Sequence, residues 1–491
     1  MVSNYIGGQW VASTGKLTVD VLDPATGKIL DQTPLGTLAD VTAAAEAASR
    51  AFPAWRATPG VDRVQYLFRL KTRLEAAVEE LSRLITLEHG KTLVEARGSV
   101  RRAIQMVETA CAMPSLQMGE HAEDIASGID CSSVRRPLGV FAGIAPFNFP
   151  AMVPFWFWPF AIAAGNTFIL KPSERVPLTS VRIFEILHEL GFPPGVMNLV
   201  HGAKDVVDAL CTHPQVKGLS FVGSTPVAKH VYTLGTSMGK RVQAFGGSKN
   251  VMVVMPDALD PATCARTVAT AIESITGCAG ERCLAGSLVL CVGEDAYQNF
   301  QRQAVIAAQA IKIGSGLDPH TTMGPLISQA AKERVEGLIA RAIQAGAKIL
   351  RDGRQGVENL PGYFLNATVL ADITETMEIA QTEIFGPVIL LAKTSSLEDA
   401  VRWINALPLA NTSTLFTNSG AHARYFCYHV DPSMIGINIG VPAPMSFFSF
   451  GGTKESFFGD TKAHGKACVN FFTDTYTTIY RWYNQGEIWQ K

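Results

Sequence analysis
The chain has 491 residues, 47% of them apolar and 17% charged, with 42 Lys+Arg against 43 Asp+Glu for a formal net charge of −1. That length and apolar content suffice for a large core divided among two or three lobes. The balanced charge, without long single-sign runs, gives no support to a phosphate-neutralising surface for nucleic acid. Nine cysteines form no CxxC pair and no Cys/His cluster at ligand spacing, so neither a disulfide framework nor a metal site is expected, and a reducing, cytoplasmic setting is.

In chain order, the stretch from Met1 to Val11 alternates as a strand does and lacks the basic and apolar regions of a signal peptide. Between Ala43 and Glu88 the apolar residues Phe52, Trp55, Leu67, Leu70, Leu74 and Leu81 recur at helical spacing and predict packed amphipathic helices. From Ala151 to Gly165 the sequence is apolar enough to raise the question of a membrane. It is too short to span one, and Pro154 and Pro159 interrupt it, so a buried, proline-kinked helix is expected.

After Val140, short apolar runs closed by turn residues (Gly139 to Ala145, Thr167 to Leu170, Leu219 to Val222) alternate with helical segments (Leu178 to Leu190, Val206 to Thr212). This alternation predicts a doubly wound parallel sheet with helices on both faces. A second round begins at Val251 to Met255 and continues through a helix from Pro261 to Thr276 and a strand from Ser287 to Val292. The tail from Val469 to Tyr480 reads as a β ribbon, an exposed edge that a second copy of the chain would cover.

Chemistry concentrates in a few segments. Gly277-Cys-Ala-Gly-Glu-Arg-Cys283 places a cysteine after a small-residue turn of the kind that aims backbone N–H groups at an oxyanion. Phe221-Val-Gly223 ends a strand, and Ser224-Thr225 is suited to cap the next helix, whose N-terminus would face a pyrophosphate. Cys278 and Cys291 are expected to pack in the core, and His201, His230 and His464 to be structural.

Ala145-Pro-Phe-Asn-Phe-Pro150 resembles the Pro-Trp-Asn-Phe-Pro signature of the aldehyde dehydrogenase superfamily. Further signatures follow in that superfamily's order: Leu170-Lys-Pro-Ser-Glu174, Phe221-Val-Gly-Ser-Thr225, Gly246-Gly247, Cys283 and Glu383-Ile-Phe-Gly-Pro387. Six ordered motifs over nearly the whole chain are far more specific than a lone glycine pattern. The resemblance implies an α/β fold with a Rossmann-type NAD-binding domain (1–119 and 140–249), a second α/β catalytic domain (250–445), and oligomerisation strands (120–139 and 465–491) of a homodimer or homotetramer.

It further implies Cys283 as the nucleophile and Asn148 as the oxyanion donor. For NAD it implies Lys171 and Glu174 on the adenosine ribose, Glu383 and Phe385 at the nicotinamide end, and contacts from Ala145, Phe147, Gly223 and Ser224. An acidic Glu174 at the ribose would repel a 2′-phosphate, which favours NAD over NADP.

Hydrolytic members of the superfamily activate water with a glutamate in a Glu-Leu-Gly-Gly motif. The matching stretch here reads Gln243-Ala-Phe-Gly-Gly247, with Ala244 at the base position. Water needs a general base, whereas a thiol ionises near neutral pH and exchanges with a thioester, so coenzyme A is the expected acyl acceptor. Lys171 to Pro177, Phe221 to Ala228, Gly280 to Cys283 and Ser456 to Asp460 are similar to the CoA-acylating methylmalonate-semialdehyde dehydrogenases. In that family a semialdehyde carrying a carboxylate becomes propanoyl-CoA or acetyl-CoA with loss of CO2.

Arg282 and Arg102 are the residues then expected to grip the carboxylate, as guanidinium groups do through paired hydrogen bonds. Two departures stand out: the family's Gly-Ala-Lys-Asn-His run is Gly247-Ser-Lys-Asn-Val251 here, and Ala228 replaces a glycine found in many hydrolytic members. The alternatives are a hydrolytic semialdehyde or sulfonated-aldehyde dehydrogenase, in which another group replaces the absent glutamate, and a non-catalytic protein that keeps the fold.

Overall fold
The computed structural model describes residues 1–483. Its first sheet has eight strands in the spatial order Gln9–Val11, Asn4–Ile6, Met197–Leu199, Thr167–Lys171, Val140–Ile144, Val216–Val222, Arg241–Phe245 and Phe457–Phe458. The five strands from Met197–Leu199 to Arg241–Phe245 are mutually parallel, and antiparallel strands flank them on both sides. Numbered along the chain, those five lie in the order 3-2-1-4-5, a doubly wound sheet. Such a sheet offers a ligand crevice where the order reverses, between Val140–Ile144 and Val216–Val222. The carboxyl ends of these two strands lead into Ala145 and Gly223.

A second, seven-stranded sheet runs Lys348–Arg351, Thr368–Ala371, Val388–Thr394, Leu288–Val292, Val251–Val254, Thr412–Phe416 and Met434–Ile437. It is parallel apart from the first strand. Its central strands are buried on both faces and accordingly read as continuous apolar runs. Each sheet has apolar clusters on both sides, as two α/β lobes require.

The apolar stretch flagged in the sequence is the heart of the first lobe. Pro154–Trp156 form a single 3-10 turn and Trp158–Ala164 a helix that ends at a left-handed Gly165. Every side chain from Trp156 to Ala164 is at most 3% exposed, apart from Pro159, which is also buried. Burial of each large aromatic there contributes about 1.5–3 kcal/mol. Among the described residues no helix is long and apolar enough to cross a membrane.

Two local expectations are corrected. The tail read as a ribbon from Val469 begins instead with a helix, Gly465–Phe472, and only Thr473–Arg481 is strand. Phe471 and Phe472 pack edge-on against Phe141 beneath the first sheet, and a helix brings both rings to that core where an alternating strand would expose one. Ser224 does sit at the N-cap of helix Thr225–Ser237, but its side chain makes no cap hydrogen bond.

The strand Thr473–Arg481 pairs antiparallel with Ile129–Pro137, which pairs in turn with His121–Ala126, in a separate three-stranded sheet. Val134, Tyr476 and Ile479 stand exposed on it. Residues 484–491 of the tail assigned to oligomerisation lie outside the described residues.

Candidate active site
The carboxyl edge of the first sheet faces loops at the amino edge of the second, and Cys283 lies between them. Residues 277–280 form a tight turn in which Cys278 (φ 50°, ψ 39°) and Ala279 (φ 54°, ψ 29°) are left-handed. For residues with a Cβ this conformation costs roughly 1–2 kcal/mol each, so something must hold it. One clamp is Glu95, whose Oε1 accepts the Cys278 N–H at 2.6 Å. Another is the close seat of Gly280, where a Cβ would lie 2.2 Å from the Gly386 carbonyl oxygen.

Beyond the turn, the Cys283 carbonyl accepts three side-chain hydrogen bonds, from Ser248 Oγ (2.7 Å), Asn250 Nδ2 (2.8 Å) and Asn411 Nδ2 (3.1 Å). Asn250 and Asn411 precede the parallel strands Val251–Val254 and Thr412–Phe416, so the second sheet itself fixes where the nucleophile stands.

Asn148 reaches the same point from the first lobe. Its Nδ2 donates to the Glu281 carbonyl at 3.0 Å and lies 3.9 Å from Cys283 Sγ, which places an amide donor beside the sulfur. Lys91 braces it: Nζ donates to the Asn148 carbonyl at 2.5 Å and lies 3.8 Å from the centre of the Phe149 ring. Burial lowers the Lys91 pKa. Burial also pushes the Cys283 thiol up to about 11, the Glu383 carboxylate adds to the rise, and the Asn148 amide opposes it.

Two cavities meet at this sulfur, and a third adjoins the larger of them. One, of 390 Å³, is lined by Cys283, Arg102, Arg282, Phe149, Trp156 and Phe450. A second, of 920 Å³, is lined by Cys283, Phe147, Asn148, Gly223, Ser224, Glu383 and Phe385. A third, of 450 Å³, lies at the reversal point of the first sheet and is lined by Ala145, Lys171, Glu174, Val222 and Pro226. The structure thus gathers all twelve residues named from the sequence into one connected region: Cys283, Asn148, Ala145, Phe147, Lys171, Glu174, Gly223, Ser224, Glu383, Phe385, Arg102 and Arg282.

The second and third cavities suit a dinucleotide. Lys171 Nζ and Glu174 Oε2 pair at 3.1 Å at the far end, with the ammonium nearly buried. Gly223 leaves the floor bare, since a Cβ would sit 2.5 Å from the Phe221 ring. At the near end Glu383 Oε1 accepts the Ser248 N–H at 2.8 Å, and Phe385, left-handed at φ 52°, meets Phe147 edge-on at 5.9 Å.

The two arginines are more engaged than the sequence suggested. Arg102 donates to the carbonyls of Pro444 (2.6 Å) and Ala443 (3.3 Å) and to Gln105 Oε1 (3.1 Å), tying helix Leu93–Cys111 to the 443–445 loop. Arg282 donates to Glu95 Oε1 at 3.2 Å and to Cys278 Sγ at 3.4 Å. Cys278 is therefore buried as expected but also lines the first cavity. Cys291 is core.

Ala244, matched to the base position, lies on the strand Arg241–Phe245. Val242 and Ala244 point into the core shared with the helices behind the sheet. The opposite face of that strand presents Phe245, packed with Phe450 (6.1 Å) and Trp156 (6.3 Å), both of which line the cavity at Cys283. Neither residue is a carboxylate.

Sequence reasoning missed Lys91, Glu95, Ser248, Asn250, Asn411 and Glu281. Only Glu95 carried a visible signal, the Thr92-x-x-Glu95 capping box, which marks a helix start rather than a site. Glu281 is buried in the wall of the 920 Å³ cavity; burial pushes its carboxyl up to about 8, and while Oε1 accepts the Ile327 N–H at 3.2 Å, Oε2 has no hydrogen-bond partner among the described residues, with His89 Nε2 at 3.8 Å. Among the described residues the buried rings of His201 and His464 make no hydrogen bond, and His230 pairs with Asp208 at 2.7 Å.

The model of the Aldehyde dehydrogenase family matches residues 10–478. The chain is 45% identical over 484 residues to malonate-semialdehyde dehydrogenase 1 of Oceanobacillus iheyensis, with 98% of each chain covered. It is 46% identical over 473 residues to malonate-semialdehyde dehydrogenase 2 of Bacillus mycoides, covering 96% of this chain and 97% of the other. Among solved structures, methylmalonate-semialdehyde dehydrogenase of Oceanimonas doudoroffii superposes with a TM-score of 0.96 at 42% identity and 99% coverage of both chains. A Sinorhizobium meliloti 1021 chain solved in complex with NAD superposes with a TM-score of 0.95 at 38% identity and 98% coverage of both.

Proposed function
Because the chain belongs to the aldehyde dehydrogenase family, we propose that it oxidises a small carboxylated semialdehyde, malonate or methylmalonate semialdehyde, with NAD and coenzyme A. The products are acetyl-CoA or propanoyl-CoA, CO2 and NADH. Relatives bearing malonate- and methylmalonate-semialdehyde dehydrogenase names support the substrate class, and the neighbour solved with NAD supports the cofactor.

In this reading the Cys283 thiolate attacks the aldehyde carbon, and the oxygen that gains charge is met by Asn148 Nδ2 and the Cys283 backbone N–H. Bound in the two cavities that run from Lys171 and Glu174 to Glu383, NAD supplies the acceptor for the hydride. The chain is left holding a thioester on Cys283, in a site walled by Phe149, Phe450 and Trp156. Arg282, beside the nucleophile, and Arg102, across the cavity, supply the cationic field for the substrate carboxylate. The tail strand and its exposed apolar face are the surface through which a dimer or tetramer would assemble.

The observation that carries the choice of coenzyme A over water is the strand Arg241–Phe245, which carries no carboxylate. Water needs a general base, which hydrolytic members take from the glutamate that Ala244 replaces here, and a thiol acceptor needs no such base. Steady-state NADH formation with malonate semialdehyde, with and without coenzyme A, tests it. A burst followed by turnover only when coenzyme A is present, with acetyl-CoA as product, is expected. Undiminished turnover to free acid in its absence overturns it.

One observation favours a second reading, hydrolysis: Glu281, whose Oε2 has no hydrogen-bond partner among the described residues, lines the cavity that contains Cys283. Loss of coenzyme A-independent turnover in Glu281→Gln would establish that route.

A further inference from the structure
Glu95 holds three parts of the site at once. Its Oε2 accepts the Thr92 N–H and hydroxyl, both at 2.9 Å, and so completes the cap of helix Leu93–Cys111. Its Oε1 accepts the N–H of left-handed Cys278 at 2.6 Å and Arg282 Nη2 at 3.2 Å. The guanidinium also donates through Nε to Cys278 Sγ at 3.4 Å. It lies against Gly277, where a Cβ would come within 2.2 Å of Arg282 Cζ. Among the described residues Arg282 Nη1 donates to none, and the side chain, 17% exposed, lines the same cavity as Cys283.

We propose that Glu95 is a positioning residue for substrate recognition, orienting the Arg282 guanidinium so that its unpaired Nη1 edge meets the carboxylate of the semialdehyde while Cys283 meets the aldehyde. This rests on the proposed carboxylated substrate. The charge matters as much as the shape, because a second carboxylate, Glu273, lines the cavity and also acts on Arg282. With the Glu95 charge gone, the guanidinium turns toward Glu273, and its free edge leaves the line to the nucleophile. A single oxygen shared between the Cys278 N–H and Arg282 therefore couples the geometry of the nucleophile's turn to that of the carboxylate seat.

The test compares kcat/KM for malonate semialdehyde and for propanal, at saturating NAD and coenzyme A, in the wild-type enzyme, Glu95→Gln and Glu95→Asp. The expected result is a fall of about tenfold in the preference of Glu95→Gln for the carboxylated aldehyde. The fall should lie in KM for malonate semialdehyde rather than in kcat and should be partly restored in Glu95→Asp, which keeps the charge; Glu95→Ala takes the place of the glutamine variant if that fails to fold. A preference within threefold of wild type in folded Glu95→Gln or Glu95→Ala overturns the proposal. So does an equal loss on both aldehydes, the mark of a residue that only supports the turn. A wild-type enzyme that does not prefer malonate semialdehyde to propanal defeats the functional reading itself, a separate outcome from a wild-type preference that survives the loss of the Glu95 charge.

Discussion

The elevated thiol of Cys283 has a measurable consequence. With burial as the larger cause and Glu383 adding to it, a pKa of about 11 leaves about one thiolate in ten thousand at pH 7. An ordinary cysteine near 8.5 leaves about three in a hundred. The population falls about 300-fold, and the greater basicity of the surviving thiolate returns about tenfold, at a Brønsted slope near 0.4. Cofactor-free enzyme should therefore be alkylated at Cys283 by iodoacetamide about 30-fold more slowly at pH 7 than an ordinary thiol. The exposed Cys427 serves as an internal clock in the same digest. Because deprotonation is the limiting population, the rate should climb about tenfold per pH unit from pH 7 to pH 10 without levelling. Glu383→Gln removes the adverse charge and should speed labelling, leaving the thiol above the ordinary value because burial remains. A plateau at or below pH 8.5 in the free enzyme, or slower labelling in Glu383→Gln, would refute this account of the sulfur.

Other expectations follow from the contacts around that atom. Asn148→Ala removes the side-chain donor at the oxyanion and should lower the pre-steady-state NADH burst by about 10²–10³-fold, the usual loss for one such donor. Lys91→Met leaves the Asn148 carbonyl without its 2.5 Å ammonium partner; the burst should slow by about 10- to 100-fold, since small misplacements of a reacting group are costly. Glu281, raised to about 8 by burial, keeps its proton in the folded chain over a range where the unfolded chain, near 4.5, has lost it. Its contribution to stability is therefore full below about pH 4.5 and declines as pH rises toward 8, by up to about 1.4 kcal/mol per unit. In thermal unfolding between pH 5 and pH 8, Glu281→Gln should lose less stability with rising pH than the wild type, and parallel curves would count against a protonated Glu281.

What the sequence made legible and what it hid differ in a physical way. The doubly wound sheet, the buried aromatic helix and the twelve residues around the sulfur each sit on a local pattern: a short apolar run, a turn, a residue type at a strand end. Glu95 has such a pattern too, but the pattern reports only a helix cap. Its second oxygen meets Cys278 across 183 positions of chain, and no local spacing encodes that meeting. Asn250 and Asn411 are hidden for the same reason, since each is an ordinary polar residue at a strand's entrance until the parallel pairing of two strands sets both on one carbonyl. The motif match at Ala244 is of another kind. Matching glycine to glycine names the residue that stands in place of the base, and in a strand its neighbour one step on takes the opposite face. The pairing of Phe221 with Ala244 and of Val222 with Phe245 sets Ala244 and Phe245 on opposite faces of the sheet. Neither side chain is a carboxylate, so neither face of that strand end offers a base to activate water at the acyl-cysteine, and the chemistry to be tested is transfer to a thiol.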